Sequence, residues 1–150
     1  MDWAVAFSVE GMRFALPLAV VERVLRAVEV TPLPGAPGVV SGVLHVHGEV
    51  VAVVDLRRRC GLPGREMELD DHILIARTSK RRLAIPVDGV SGVVSWRSTD
   101  FVAAATLAPG LGHLQGVARL GDGLVLVQDL EAFLSLQEEG GLDEALAQAG

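Results

Sequence analysis

The chain has 150 residues, the size of one ordinary domain; half are apolar but only 4% aromatic, so its core must be aliphatic. A net charge of −6 argues against a general affinity for nucleic acid, which needs clustered Lys and Arg. The lone Cys60 leaves no disulfide framework and favours a reducing compartment, and no apolar run approaches the ~20 residues of a membrane helix.

Trp3 to Val9 alternates apolar and polar residues, and Glu10-Gly11 turns it into Arg13 to Leu18, which predicts a β-hairpin. The start, Met1-Asp2-Trp3, lacks the basic and apolar segments of a secretory signal, so the expectation is a soluble, cytoplasmic protein. Leu18 to Leu25 reads as a single helical turn entering a strand, and Thr31 to Gly38, with its prolines, as an ordered loop. Gly42 to His47 and Glu49 to Val54 form a second hairpin about Gly48; the unbroken Val50 to Val54 run suits a strand covered on both faces. Asp55 is placed to cap a short helix that Gly61 and Pro63 end.

Leu62 to Asp71 is a polar connector. Ile73 to Ala76 and Leu83 to Val87 make the next hairpin around Ser79 to Arg82, followed by a strand from Gly89 to Trp96. Ser98 to Gly112 reads as a loop or short helix, and Gly116 to Leu120 with Leu124 to Val127 as the last hairpin, turned by Gly121-Asp122-Gly123. Asp129 caps a closing helix with Leu130, Phe133, Leu134 and Leu136 on its apolar face, which Gly140-Gly141 ends. Leu142, Ala145, Leu146 and Ala149 have the spacing of a terminal amphipathic turn, but the tail, residues 137–150, is expected to fray.

The order of these elements is stated twice. Gly42 to Leu56 reappears 74 positions on as Gly116 to Leu130, with identities at Gly42/Gly116, Val43/Val117, Val51/Val125, Val53/Val127, Asp55/Asp129 and Leu56/Leu130. Upstream, Phe14-Ala15-Leu16-Pro17-Leu18 through Val21 and Val24 matches Leu83-Ala84-Ile85-Pro86-Val87 through Val90 and Val93 at an offset of 69. A duplication within 150 residues implies two similar subdomains in one domain, with a groove between them. Short hairpin-linked strands favour two closed or nearly closed barrels, because closure pairs the exposed edges.

Catalytic chemistry has little to work with. His45 and His47, two apart on a strand, would share a face and could hold a metal with His72 or His113; the plainer reading, adopted here, is surface polar residues opposite Leu44 and Val46, with no metal and no cofactor. Cys60 has no paired histidine and reads as a structural thiol. Asp55 and Asp129 read as structural caps rather than paired carboxylates, and the basic runs Arg57-Arg58-Arg59 and Lys80-Arg81-Arg82 as solvated faces. With no nucleophile, base or metal set, the expectation is a non-enzyme that works through its surfaces.

At Gly42-Val43-Leu44-His45-Val46-His47-Gly48-Glu49 through Val54-Asp55-Leu56-Arg57 the sequence resembles the CheW family of chemotaxis coupling proteins, which carries Gly-Val-x-Asn-Leu-Arg-Gly, an apolar strand, then Val-Asp-Leu-Arg. Val87-Asp88-Gly89-Val90-Ser91-Gly92-Val93 and Phe14 to Leu18 extend the likeness over about Val5 to Leu136. The resemblance implies an all-β fold of two tandem five-stranded SH3-like β-barrel subdomains with a C-terminal helix. It also implies an adaptor coupling a methyl-accepting chemoreceptor's cytoplasmic tip to a CheA-type histidine kinase. The implied receptor groove involves Val21, Arg23, Gly42, His45, His47 and Gly48; kinase-contact residues are unassigned, and no membrane insertion is implied. His45 stands for the family's Asn, His47 for its Arg and Ala52 for its Pro, while Arg23 aligns with a Glu often opposite that Arg. The alternative is a module of the same fold with a different partner, made pH- or metal-responsive by His45 and His47.

Overall fold

The computed structural model describes residues 1–107 and 113–149. Its strands are β1 (Asp2–Val9), β2 (Met12–Pro17), β3 (Val21–Arg26), β4 (Val40–Val46), β5 (Glu49–Val54), β6 (His72–Arg77), β7 (Arg82–Val87), β8 (Gly89–Trp96), β9 (Phe101–Ala103), β10 (Leu114–Leu120) and β11 (Gly123–Gln128). Its helices are α1 (Leu56–Arg59), α2 (Ala104–Leu107) and α3 (Leu136–Ala149). The expected segment from Ser98 to Gly112 holds a 3-10 turn, β9 and α2 before passing outside the described residues.

The strands form a six-stranded sheet, β8-β1-β2-β11-β10-β9, and a five-stranded sheet, β3-β6-β7-β5-β4. The repeat governs their register. Leu126 lies opposite Phe14 in the parallel pair β11–β2, and Ala52 opposite Leu83 in the parallel pair β5–β7, which are the same positions at offsets of 74 and 69. Equivalent bulges recur as well, at Glu22 in β3 and Ser91 in β8, and at Ser41 in β4 and Gln115 in β10. The sixth strand, β9, pairs Val102 with Val117; its counterpart in the other sheet is the single bridge Thr31–Val43.

The halves are interleaved. Each repeat sends its first hairpin into the other's sheet, β1–β2 beside β8 and β11, and β6–β7 beside β3 and β5. Alternate residues of these exchanged strands therefore face different cores. Val5, Phe7, Phe14 and Leu16 join Leu74, Leu83 and Ile85 in one large cluster between the sheets. Leu44, Val51, Val53, Ile73, Ile75 and Ala84 fill the five-stranded sheet, and Ala4, Ala15, Trp96, Ala118, Val125 and Val127 the six-stranded one. Where the first has Ile73 and Leu44, the second has Ala4 and Ala118, and Trp96 takes up the freed volume.

Two expectations about the C-terminal segment are corrected. The residues after Asp129 make a 3-10 turn, Leu130–Ala132, and the helix starts later, at Leu136, whose side chain is 84% exposed rather than on an apolar face. Gly140-Gly141 does not end it, and residues 137–149 are helical rather than frayed. Ser135 and Glu138 supply the start: the Ser135 N–H donates to Oε1 of Glu138 at 2.9 Å and the Glu138 N–H to Oγ of Ser135 at 3.1 Å. Leu142 and Ala145 then bury in the large core, and a Cβ at Gly141 would stand 3.3 Å from Pro37, so the glycine lets the helix lie close.

The two aspartates part company for the same reason. Asp55 caps α1, accepting from the Arg58 N–H at 3.1 Å, whereas Asp129 makes no side-chain cap because only a 3-10 turn follows it. Asp55→Ala is expected to cost about 1 kcal/mol and Asp129→Ala under ~0.5 kcal/mol in urea denaturation. Equal losses at both positions would remove the distinction.

Candidate adaptor surfaces

The β4–β5 hairpin closes through His47 and Gly48, with φ of 50° and 77°, the pair of left-handed residues that a tight hairpin turn demands. That turn corrects the shared face expected for His45 and His47. His45 lies on the exposed strand surface opposite Val50, while His47 crosses the rim to the other side. There its Nε2 meets Nη1 of Arg23 on β3, so a neutral imidazole accepts from the guanidinium. The pair belongs to a cleft of about 340 Å³ lined by Glu22, Arg23, Val46, His47, Glu49, Val51, Ile75 and Arg82.

Arg82 spans the acids of this cleft, donating from Nε to Glu22 at 2.6 Å and from Nη1 to Glu49. The hydrogen bond from Arg82 holds the Glu22 carboxyl below its usual range. Of the other residues expected in the groove, Gly48 sits in the turn, Val21 is half-buried against the large core, and Gly42 is buried in β4. A Cβ on Gly42 would stand 2.2 Å from the Thr31 carbonyl oxygen, so its requirement is local packing. His72 lies on β6 opposite Arg26 and His113 bonds Gln128 through Nδ1 at 3.2 Å. Among the described residues no group of three or more His, Cys, Asp or Glu is arranged to hold a metal ion.

The basic runs are solvated faces only at Arg58 and Lys80, which are exposed. Arg57 is buried; it donates from Nη2 to both Asp88 oxygens at 2.9 and 3.0 Å, to the Pro63 carbonyl at 2.8 Å and to Glu10. Asp88 also receives Arg65 at 2.6 Å and the Glu10 N–H at 2.8 Å, and Arg65 clamps Asp71 with two 2.8 Å bonds. This network joins the end of β5, the β1–β2 turn, the connector and the β7–β8 junction, that is, both sheets. Burial pushes the Asp88 carboxyl up, but the Glu10 N–H and Arg57 outweigh it and hold it below its usual range; the bonds from Arg65 do the same for Asp71. Arg59 bonds Glu138 at 2.6 Å and covers the Phe133 ring at 5.6 Å, and Arg81 pairs with Glu139 at 2.9 Å, which pins α3. Cys60 is half-buried, and burial pushes its thiol up, as suits a structural thiol.

The family model for the CheW-like domain matches residues 4–138. The chain belongs to the CheW-like family. It is similar to the chemotaxis protein CheW of Klebsiella aerogenes, 25% identical over 134 residues covering 88% of this chain and 81% of the relative. The likeness to CheW of Treponema pallidum is 24% over 140 residues, covering 89% and 82%. Among solved structures, the scaffolding protein TtCheW from Thermoanaerobacter tengcongensis superimposes with a TM-score of 0.82 at 21% identity, covering 91% of this chain and 94% of that one. The mainly β fold of paired SH3-like subdomains with a C-terminal helix is thus the CheW fold. No helix among the described residues is long and apolar enough to cross a membrane.

Proposed function

We propose that this chain is a cytoplasmic adaptor, a single CheW-like domain over residues 1–150, that couples a chemoreceptor's cytoplasmic tip to a CheA-type histidine kinase. The observation that carries this reading is the family match along almost the whole chain, over about four fifths of the length of the CheW relatives. The receptor surface is assigned to the rim of the β3–β4–β5 cleft, with Arg23 and His47 at its centre, Gly48 shaping the turn, His45 on the adjoining outer face, and Val21 and Gly42 supporting the strands. Kinase binding, through other strand edges, is expected at micromolar affinity, about 8 kcal/mol. A pull-down that fails to retain the cognate kinase's regulatory domain at tens of micromolar protein removes the kinase from this reading.

Within the cleft, His47 is faced by Arg23, Glu22, Glu49 and Arg82. Its Nε2 accepts from Arg23, so the two side chains occupy each other at the rim. The pair Arg23→Glu with His47→Arg recreates a Glu–Arg pair and should bind a conventional receptor fragment at least about tenfold more tightly than the wild type. Titration calorimetry of wild type, H47R and R23E/H47R measures this. Equal affinities throughout would end the assignment of this cleft to the receptor.

A further inference from the structure

The tip of β10–β11 repeats the tip of β4–β5, and a second cleft opens there. Leu120 stands at the position of Val46, Gly121 at that of His47 and Arg13 at that of Arg82, by the offsets of 74 and 69 that relate the halves. The side chains that occupy the first cleft are missing from the second half: Glu22, Arg23, His47 and Glu49 correspond to Ser91, Gly92, Gly121 and Gly123. A Cβ placed on any of these three glycines meets nothing within 4 Å, so the space is open rather than filled by neighbours. The second cleft, of about 510 Å³ against 340 Å³, is lined by Gly121 among these four and extends instead along Val94 to Arg97.

Its charge balance differs as well: Arg13, Arg97 and Arg119 line it with Asp100 and Asp122, against two arginines and two glutamates in the first cleft, in a chain whose net charge is −6. Arg82 in the first cleft has two internal glutamates, but its counterpart Arg13 has only Asp122, which is 76% exposed, at 2.8 Å. Arg119 reaches Asp100 at 3.2 Å, and Arg97 makes no ion pair among the described residues. Trp96, buried beside them, has an indole N–H with no acceptor among the described residues. The cleft also runs along Val94, Ser95, Trp96 and Arg97 at the end of β8, which is an edge of the six-stranded sheet. An edge strand offers main-chain donors and acceptors to an added segment.

We infer that this cleft docks an extended acidic segment of a partner protein, whose carboxylates engage Arg97 and Arg119 while its backbone lies along β8. The site lies apart from the cleft assigned to the receptor above. In it, Arg97 has no ion pair among the described residues and Arg119 has the single 3.2 Å contact to Asp100, which leaves both guanidiniums open to carboxylates from outside, the pairing for which Arg is suited.

A fluorescein-labelled octapeptide of alternating Glu and Val tests this by anisotropy with the full chain at low ionic strength. Saturable binding is expected, weakened about tenfold by Arg97→Glu and by Arg119→Glu, and weakened further by added salt. Arg82→Glu, in the other cleft, should leave it unchanged, and an alternating Lys and Val octapeptide should not bind. Arg97 and Arg119 are exposed, so unaltered melting temperatures will confirm that both variants fold. In a nitrogen–proton spectrum, the larger of the two tryptophan indole shifts should fall on Trp96 rather than Trp3. Absence of saturable binding by the wild type would overturn the proposal, as would equal weakening by Arg82→Glu, which would mean that the peptide responds to surface charge at large.

Discussion

Replacing Gly42 with alanine is expected to cost about 3 kcal/mol in urea denaturation, and Gly116→Ala to cost a similar amount, because the two positions are the same contact in the two halves. A Cβ on Gly42 would lie 2.2 Å from the Thr31 carbonyl oxygen, and one on Gly116 2.4 Å from the Val102 carbonyl oxygen and 2.3 Å from the Phe101 ring. Backbone cannot yield there cheaply, since Thr31 and Val43 exchange two 2.8 Å hydrogen bonds and Val102 pairs with Val117. The experiment also decides what Gly42 does. If Gly42→Ala keeps wild-type stability and loses only partner binding, its glycine is a recognition feature; a loss of stability shared with Gly116→Ala makes it a packing requirement.

Arg57→Ala should be comparably damaging, about 3 kcal/mol, because it takes a buried guanidinium from Glu10 and leaves Asp88 with Arg65 alone as its cation at the junction of the sheets. Their partial exposure keeps the loss at the lower end for a broken buried pair. The network also predicts the direction of acid sensitivity. Asp71 and Asp88 have lowered folded-state pKa values, so their stabilisation is complete above the unfolded carboxylate value of about 3.9 and is lost as pH falls through the lower folded values. Urea midpoints of the wild type should therefore hold steady from neutrality to about pH 5 and drop steeply below ~4, with a shallower drop in Arg57→Ala. Parallel pH profiles would detach the network from acid unfolding.

The hairpins were legible because period-two patterns and turn residues such as Glu10-Gly11 are local signals, and β1–β2 and β6–β7 form where they predict. Which sheet each hairpin joins was not. Phe14-Ala15-Leu16-Pro17 and Leu83-Ala84-Ile85-Pro86 carry the same pattern, so the pairing of β11 with β2 rather than β7 is invisible to periodicity. The α3 helix was masked by Gly140-Gly141, although Ser135 and Glu138 spelled out its start. Asp129 misled by its likeness to Asp55; the cap depends on the helix that follows, and there the repeat diverges.

At the candidate site, the meeting of Arg23 and His47, 24 positions apart, was accessible only through the family resemblance that aligned both substitutions. The error about His45 and His47 sharing a face came from carrying the strand one residue too far, into a turn where His47 takes a positive φ. Arg57 shows the opposite failure: a run of three arginines has the composition of a solvated surface, and only the fold puts the first of them among Glu10, Asp88 and the Pro63 carbonyl.

The exchange of hairpins has a mechanical consequence. To swing one sheet away from the other as a hinged body, the molecule would have to open the large core between them against two short crossings, β2 to β3 through the turn Leu18–Val20 and β7 to β8 through Asp88 alone. The two tips, and the clefts they carry, are thus ends of one stiff strut. Displacement applied at His47 is expected to arrive at Arg119 as rotation of the whole rather than as bending in the middle, and a chain severed in its connector would leave each fragment short of two strands of its own sheet.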